Sequence, residues 1–255
     1  MYDTALKAEI IQKARDLGAA LVGVCAADSW AREPIQSAEY WPQNSWPWAK
    51  SVIVLAIPLF YPMAATAPSL LYQEQYNTSN RLMDDMAHRL AQYIMVEKKH
   101  RAFFFPRDCY DSIYVLLKNP TAAFSHVLAG YYAGLGTIGD SHNLITKEFG
   151  PRIRLVSVLT DAPLEPDRMQ SQDLCIHCGK CLRGCPAHCF TDEGRSPYAM
   201  DKDACTRHHI DLVEGHHWPC GWCATFCPVG DDLALWRDVS AVTPAGITHC
   251  QSHGS

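Results

Sequence analysis

Apolar residues recur at helical spacing from the first turn of the chain. In Thr4 to Leu17, Leu6, Ile10, Ile11 and Leu17 fall on one face, and Gly18 marks the stop. Two short apolar runs follow, Ala19 to Cys25 (AALVGVC) and Ser51 to Ile57 (SVIVLAI), and both predict buried strands. Helical spacing returns over Arg81 to Lys98. Ala102 to Phe105 predicts a short strand ended by Pro106, Ala122 to Ala133 a helix, and Ile153 to Thr160 (IRLVSVLT) a further strand. The pattern predicts a mixed α/β domain over residues 1–165. Asp161 to Asp173 (DAPLEPDRMQSQD) is polar with two prolines and predicts a linker. From there to residue 240 the apolar periodicity gives way to cysteine, glycine, histidine and proline. That second segment, residues 166–240, has too few aliphatic side chains for its own core, so an inorganic cofactor is expected to hold it together. Residues 241–255 read as a tail. The aromatic cluster YWPQNSWPW (Tyr40 to Trp48) reads as a packed loop.

Composition narrows the function classes. The 255 residues are 48% hydrophobic and 19% charged, with a formal net charge of −5. This describes a core-forming chain and argues against nucleic-acid binding through a general positive field. The amino terminus shows no basic region leading into an apolar one. The longest apolar run, Val52 to Tyr61, contains Pro58 and is too short to span a bilayer. A soluble, cytoplasmic protein with no membrane partner is expected. Twelve cysteines then point to metal binding or redox chemistry, since disulfides are rare in the cytosol. Only Cys25 and Cys109 precede residue 170; nine lie from Cys175 to Cys227, and Cys250 lies in the tail.

Cys175, Cys178, Cys181 and Cys185-Pro186 have the spacing C-x2-C-x2-C-x3-C-P, the bacterial ferredoxin run for a [4Fe–4S] cluster. Cys220, Cys223 and Cys227-Pro228 repeat its second half. The missing upstream member is assigned to Cys205, the one cysteine between Cys189 and Cys220. Crossing as in ferredoxins places Cys175, Cys178, Cys181 and Cys227 on one cluster, and Cys205, Cys220, Cys223 and Cys185 on the other. Structural zinc and a single cluster with spare thiols are the rival readings. Cys189 and Cys25 read as core residues, and Cys109 as a core or loop thiol.

Gly134-Leu-Gly136-Thr-Ile-Gly139 matches G-x-G-x-x-G, but a helix-like stretch precedes it where a dinucleotide fingerprint needs a strand. The glycines imply close backbone approach, to a bulky cofactor or to a neighbouring element.

Ala133 to Asp167 (AGLGTIGDSHNLITKEFGPRIRLVSVLTDAPLEPD), followed at once by the two cysteine motifs, resembles the epoxyqueuosine reductase family. It resembles more closely the short relatives of those enzymes that carry a double-cluster domain, and reductive dehalogenases more distantly. The resemblance implies an α+β chain. A nitroreductase-related, cobalamin-binding type of α/β domain would precede a ferredoxin-like 2[4Fe–4S] module, with base-off cobalamin between them. It implies corrinoid contacts from Gly134, Gly136, Gly139, Asp140, Ser141, His142 and Asn143. Two departures stand out: no carboxylate occupies Asn119 to Ala123, where the family carries an acid in V-D-[ST]-x-P, and Asp140 stands where the family usually has lysine. The chain also shows no C-terminal helical repeat to grip tRNA, so no nucleic-acid substrate is expected.

The expected function is an iron–sulfur oxidoreductase that relays single electrons, from reduced ferredoxin or flavodoxin, to cobalamin or a small-molecule substrate. The alternative is an electron-transfer protein that reduces a partner, such as a corrinoid protein. Candidate proton donors are Asp108, Tyr110, Asp111, His126 and Asp140.

Overall fold

Helix α1 (Thr4–Asp16) begins where the Asp3 carboxylate accepts a hydrogen bond from the Leu6 N–H at 2.8 Å, and it buries Leu6, Ile10 and Ala14. Its C-terminal turn leads into β1 (Leu21–Ala26). The computed structural model describes residues 2–106, 112–215 and 217–237. Strands β2 (Ser51–Pro58), β3 (Ala102–Phe105) and β6 (Ile153–Thr160) join β1 in one sheet of order β1-β2-β6-β3, antiparallel at every pairing. Between β3 and β6 lie a two-stranded hairpin, β4 (Thr137–Ile138) with β5 (Leu144–Ile145), and helix α3 (His126–Tyr132).

The unbroken apolar runs have a simple cause: both sheet faces are covered. On one face α1 and the long helix α2 (Leu70–Val96) pack Ile10, Met83, Leu90 and Ile94 against Val24, Ile53, Leu55 and Val158. On the other, α3 packs Leu128 and Tyr132, together with Trp30 from the short turn after β1, against Cys25, Val52, Val54 and Leu159. Each such side chain contributes about 1.5–3 kcal/mol of burial. Trp46 and Trp48 lie against Phe103, so the tryptophan-rich loop is packed as the sequence suggests.

Two boundaries differ from the periodicity. Helix α2 starts at Leu70 rather than Arg81, capped by Ser69, whose Oγ accepts from the Tyr72 N–H at 3.1 Å. Its first turns bury Gln75, Ser79 and Asn80, polar residues on an inward face, which hides the helical stripe. Helix α3 starts at His126, where Ser125 caps it, rather than at Ala122.

The stretch after β6 is no loose tether. Ala162 and Leu164 are fully buried, Asp167 N–H donates to the Val24 carbonyl, and the Asp167 carboxylate accepts from Val24 N–H, both at 2.8 Å. Beyond it come α4 (Lys180–Gly184), the hairpin β7 (Phe190–Thr191) with β8 (Ala199–Met200), α5 (Lys202–Glu214) and α6 (Trp222–Thr225). The core here is small: Cys185, Cys189, Phe190 and Tyr198. No described helix is long and apolar enough to cross a membrane.

Candidate cluster site and adjoining groove

The two cysteine motifs fold into matching loops. Each C-x2-C pair turns on a left-handed glycine, Gly179 at φ +68° and Gly221 at φ +70°, and each leads into a short helix, α4 and α6. Only glycine takes this conformation without strain, and it lets the flanking thiols turn inward.

The fold gathers the thiols into two sets. Cys175, Cys178, Cys181 and Cys227 line one small cavity with Asp140, Ser141 and Ile145. Cys227 arrives from the far end of the chain and is close enough to Cys178 and Cys175 for their charges to raise its pKa. Cys220 and Cys223 are likewise raised by Cys205 and Cys185. Burial is the first cause of the rise in each of these three thiols and pushes Cys220 up to about 12. Eight sulfurs in two quartets suit a donor set completed by a metal cluster. Cys223 also lines the first cavity, so the two sets adjoin.

Arg152 secures the crossing and was not singled out in the sequence. It is 0% exposed, donates from Nη1 to the Cys227 carbonyl (2.9 Å) and from Nη2 to the Val229 carbonyl (2.8 Å), and pairs with Asp232 at 2.6 Å. A guanidinium entering a buried strand, in PRIRLV, was the available signal: it demands a partner.

The residues of the glycine loop reach both sets. Asp140 is 3% exposed and accepts from Ser196 Oγ at 2.7 Å and from His177 Nδ1 at 3.0 Å. Burial opposes its ionisation, but these two donors outweigh it and hold the carboxyl below the ordinary range. His177 is raised in turn, first by its hydrogen bond to Asp140. Asp140 is therefore placed as an anchored acceptor beside the first set. Asn143 Nδ2 lies 3.0 Å from Ser141 Oγ and 3.4 Å from Cys223 Sγ, and His142 Nε2 donates to the Tyr198 carbonyl at 2.7 Å. The glycines themselves face protein: a Cβ on Gly134 would stand 2.1 Å from the Arg168 carbonyl oxygen, and one on Gly136 2.1 Å from that of Ile145. On Gly139 it would meet Ile145 Cδ1 at 2.3 Å. The loop also follows helix α3 rather than a strand, as a dinucleotide fingerprint does not.

Two cavities open beside the thiols. One, of about 830 Å³, is lined by Gln36, Val127, Tyr131, Thr137, Ile138 and His142 among others. The second, of about 370 Å³, is walled by Tyr72, Tyr76 and Trp218 and reaches Cys205 and Cys223. They share Pro120, Met200 and Lys202, and so form one groove. Gln36 Oε1 and Trp218 Nε1 are buried without a hydrogen-bond partner among the described residues. The breadth of the groove and its mixed aromatic and polar lining fit a flat group such as a corrinoid.

The segment at 119–123 does line the larger cavity, through Pro120, Thr121 and Ala122. Asp173 is the one carboxylate among the described residues of that wall, and it is engaged by Thr137 Oγ1 (2.9 Å) and His177 Nε2 (3.2 Å). His126 lies at the start of α3 with both ring nitrogens engaged, Nδ1 with Ser157 Oγ (2.9 Å) and Nε2 with the Pro106 carbonyl (3.2 Å). Asp108, Tyr110 and Asp111, with Cys109, lie outside the described residues. Cys25 is fully buried in the sheet core, and burial pushes its thiol far up.

Comparison with known proteins meets the resemblance seen in the sequence. The chain is 27% identical to a tetrachloroethene reductive dehalogenase of Desulfitobacterium hafniense over 195 residues, 70% of this chain and 32% of that protein. It is 26% identical to an epoxyqueuosine reductase of Synechococcus sp. (strain RCC307) over 260 residues, 92% of this chain and 76% of that one. It thus spans about a third of the length of the dehalogenases it matches. Among solved structures, a selenomethionine-labelled epoxyqueuosine reductase matches 88% of the chain at a TM-score of 0.62 and 18% identity, and covers 65% of its own length. A reductive dehalogenase studied for B12-dependent dehalogenation matches 95% at a TM-score of 0.65 and 21% identity, over 35% of its length. The mixed α/β fold is the one found in both kinds of protein. No family model matches the chain.

Proposed function

We propose that this chain, similar to epoxyqueuosine reductases and reductive dehalogenases, is an iron–sulfur oxidoreductase that acts on an acceptor held in the groove beside its second thiol set. The observation that carries the reading is the convergence of eight cysteines, from two distant motifs, on two adjoining quartets, one of which opens into that groove. The segment from Cys175 to Cys227 would be a ferredoxin-like module. When bound, two [4Fe–4S] clusters supply one-electron storage and transfer, and a corrinoid supplies a cobalt centre for reduction.

The chain's own residues do the rest. Ile176, 62% exposed, and Lys180, also exposed, rim the first set and offer a small apolar patch with a positive charge to a reduced carrier of the ferredoxin or flavodoxin type. Arg152 holds Cys227 in place, and Asn143 donates towards Cys223. Tyr72, Tyr76 and Trp218 keep water from the second set, while Thr137, Ile138, His142 and Gln36 orient what binds in the larger cavity. The groove suits a small molecule or corrinoid better than a folded nucleic acid. The want of an unengaged acid in the described wall favours a second reading, in which the acceptor is a corrinoid carried by a partner protein.

The test is anaerobic reconstitution with iron and sulfide, addition of hydroxocobalamin, removal of the excess, and quantification of iron, sulfide and cobalt per chain. About eight irons and about one cobalt are expected from two cubanes and one corrinoid. Eight irons without cobalt select the partner-reducing reading, and zinc in place of iron overturns both.

A further inference from the structure

Eight of the nine clustered cysteines have a place in the two quartets; the ninth is Cys189. It is 2% exposed, sealed by Phe190 and Tyr198. Its Sγ lies 3.4 Å from Cys185 Sγ, and Cys205 packs against the same small core. Its carbonyl accepts from the Asp201 N–H at 2.8 Å, and Asp201 caps the helix that carries Cys205. Backbone and side chain together therefore wedge this thiol between two members of the second set. The other two, Cys220 and Cys223, face Cys185 and Cys205.

A cubane has four corners, and four thiolates fill them. Ligating thiolates can only accept hydrogen bonds. In the 3.4 Å contact between Cys189 and Cys185 the donor is therefore the thiol without a corner to fill, Cys189. We propose that Cys189 is a positioning residue for electron transfer: it donates its S–H to the ligating sulfur of Cys185 and raises the reduction potential of the second cluster. The effect follows from charge. A donor at a ligand sulfur stabilises the more negative, reduced state more than the oxidised one. A second site with the higher potential would favour transfer from the first set towards the groove.

The inference rests on the two-cluster reading, and its test keeps the two apart. Wild type, Cys189→Ala and Cys189→Ser are reconstituted as full-length chains, assayed for iron and sulfide, and titrated potentiometrically with detection by electron paramagnetic resonance. Wild type alone decides whether two clusters assemble; if they do not, that reading fails and this inference with it. Given two clusters, Cys189→Ala is expected to keep the wild-type iron content and to move one midpoint, not both, to a more negative potential. Cys189→Ser, which retains a donor, recovers part of the shift. Unmoved midpoints in Cys189→Ala overturn the proposal. So does loss of about half the iron, which would make Cys189 a ligand. Should the alanine variant fail to fold, Cys189→Val fills the space without a donor and is read in the same way.

Discussion

A histidine ring packed edge-on against Phe105 and Phe124 shows how far surroundings alter a residue's chemistry. Burial is the first cause that lowers the pKa of His126 to about 4, from an ordinary 6.5; nearby Arg154 also lowers it, while the Pro106 carbonyl pulls the other way. Nε2 donates to the Pro106 carbonyl, so Nδ1 accepts from Ser157, and the neutral ring is the folded form. Because the folded pKa is depressed, the unfolded chain binds the proton first as pH falls. The stabilisation is complete above pH 6.5 and is lost progressively down to about pH 4. It amounts to about 3 kcal/mol. Denaturant unfolding at pH 7 and at pH 4.5 should show this loss in wild type and a smaller one in His126→Gln; equal losses would show that the ring is not the group responsible. At the same scale, Arg152 and Asp232 form a buried ion pair whose second purpose is to hold the Cys227 and Val229 carbonyls. A pair of this kind is retained less for net stability than for the geometry it imposes.

Among the elements, the two C-x2-C turns are the most sensitive. Gly221 is left-handed, and a Cβ on it would stand 2.5 Å from the Tyr72 ring of α2. Gly221→Ala therefore meets both backbone strain of about 1 kcal/mol and a steric clash. The expected outcome is a chain that retains its far-ultraviolet circular dichroism but loses about half its iron on reconstitution, with a midpoint of thermal unfolding lower by several degrees. Full iron content in this variant would show that the turn can relax without moving Cys220 and Cys223. Helix α2 links this turn to the main sheet. Its carboxy-terminal half buries Met83, Leu90 and Ile94, whereas its amino-terminal half turns Tyr72 and Tyr76 to the groove and receives Arg154 Nε on Asn80 at 3.0 Å. One helix thus serves as core at one end and as site wall at the other.

At the scale of the whole molecule, the chain returns on itself so that each quartet takes thiols from both motifs. This arrangement makes a definite prediction about which substitutions behave alike. Cys175→Ala and Cys227→Ala should abolish the same cluster signal, and Cys185→Ala and Cys220→Ala the other, each variant retaining about half of the iron. If Cys185→Ala instead removed the signal lost in Cys175→Ala, the quartets would be uncrossed. The crossing also ties the two segments together. Arg152 at the start of β6 grips the stretch after Cys227, and Asp167 clamps the stretch after β6 to Val24 of β1.

The cysteine spacing, the turn glycines and the apolar runs of β2, β3 and β6 are local properties, and the sequence alone determined them. Spacing of three or four residues already dictates which thiols share a loop, and an unbroken apolar run already demands cover on both faces. What only tertiary structure decided involves partners far apart in the chain. Arg152 and Asp232 are 80 residues apart, and Asp140 finds its donors in His177 and Ser196. The polar inward face of early α2 escaped the periodicity because its partners, the Phe60 carbonyl for Gln75 and Arg154 for Asn80, lie outside the helix. The glycine loop sits between these cases. Its residues announced close approach, but only the fold showed that the glycines approach Arg168 and Ile145, leaving Thr137, Ile138 and His142 to line the groove, because a missing side chain carries no sign of what takes its place.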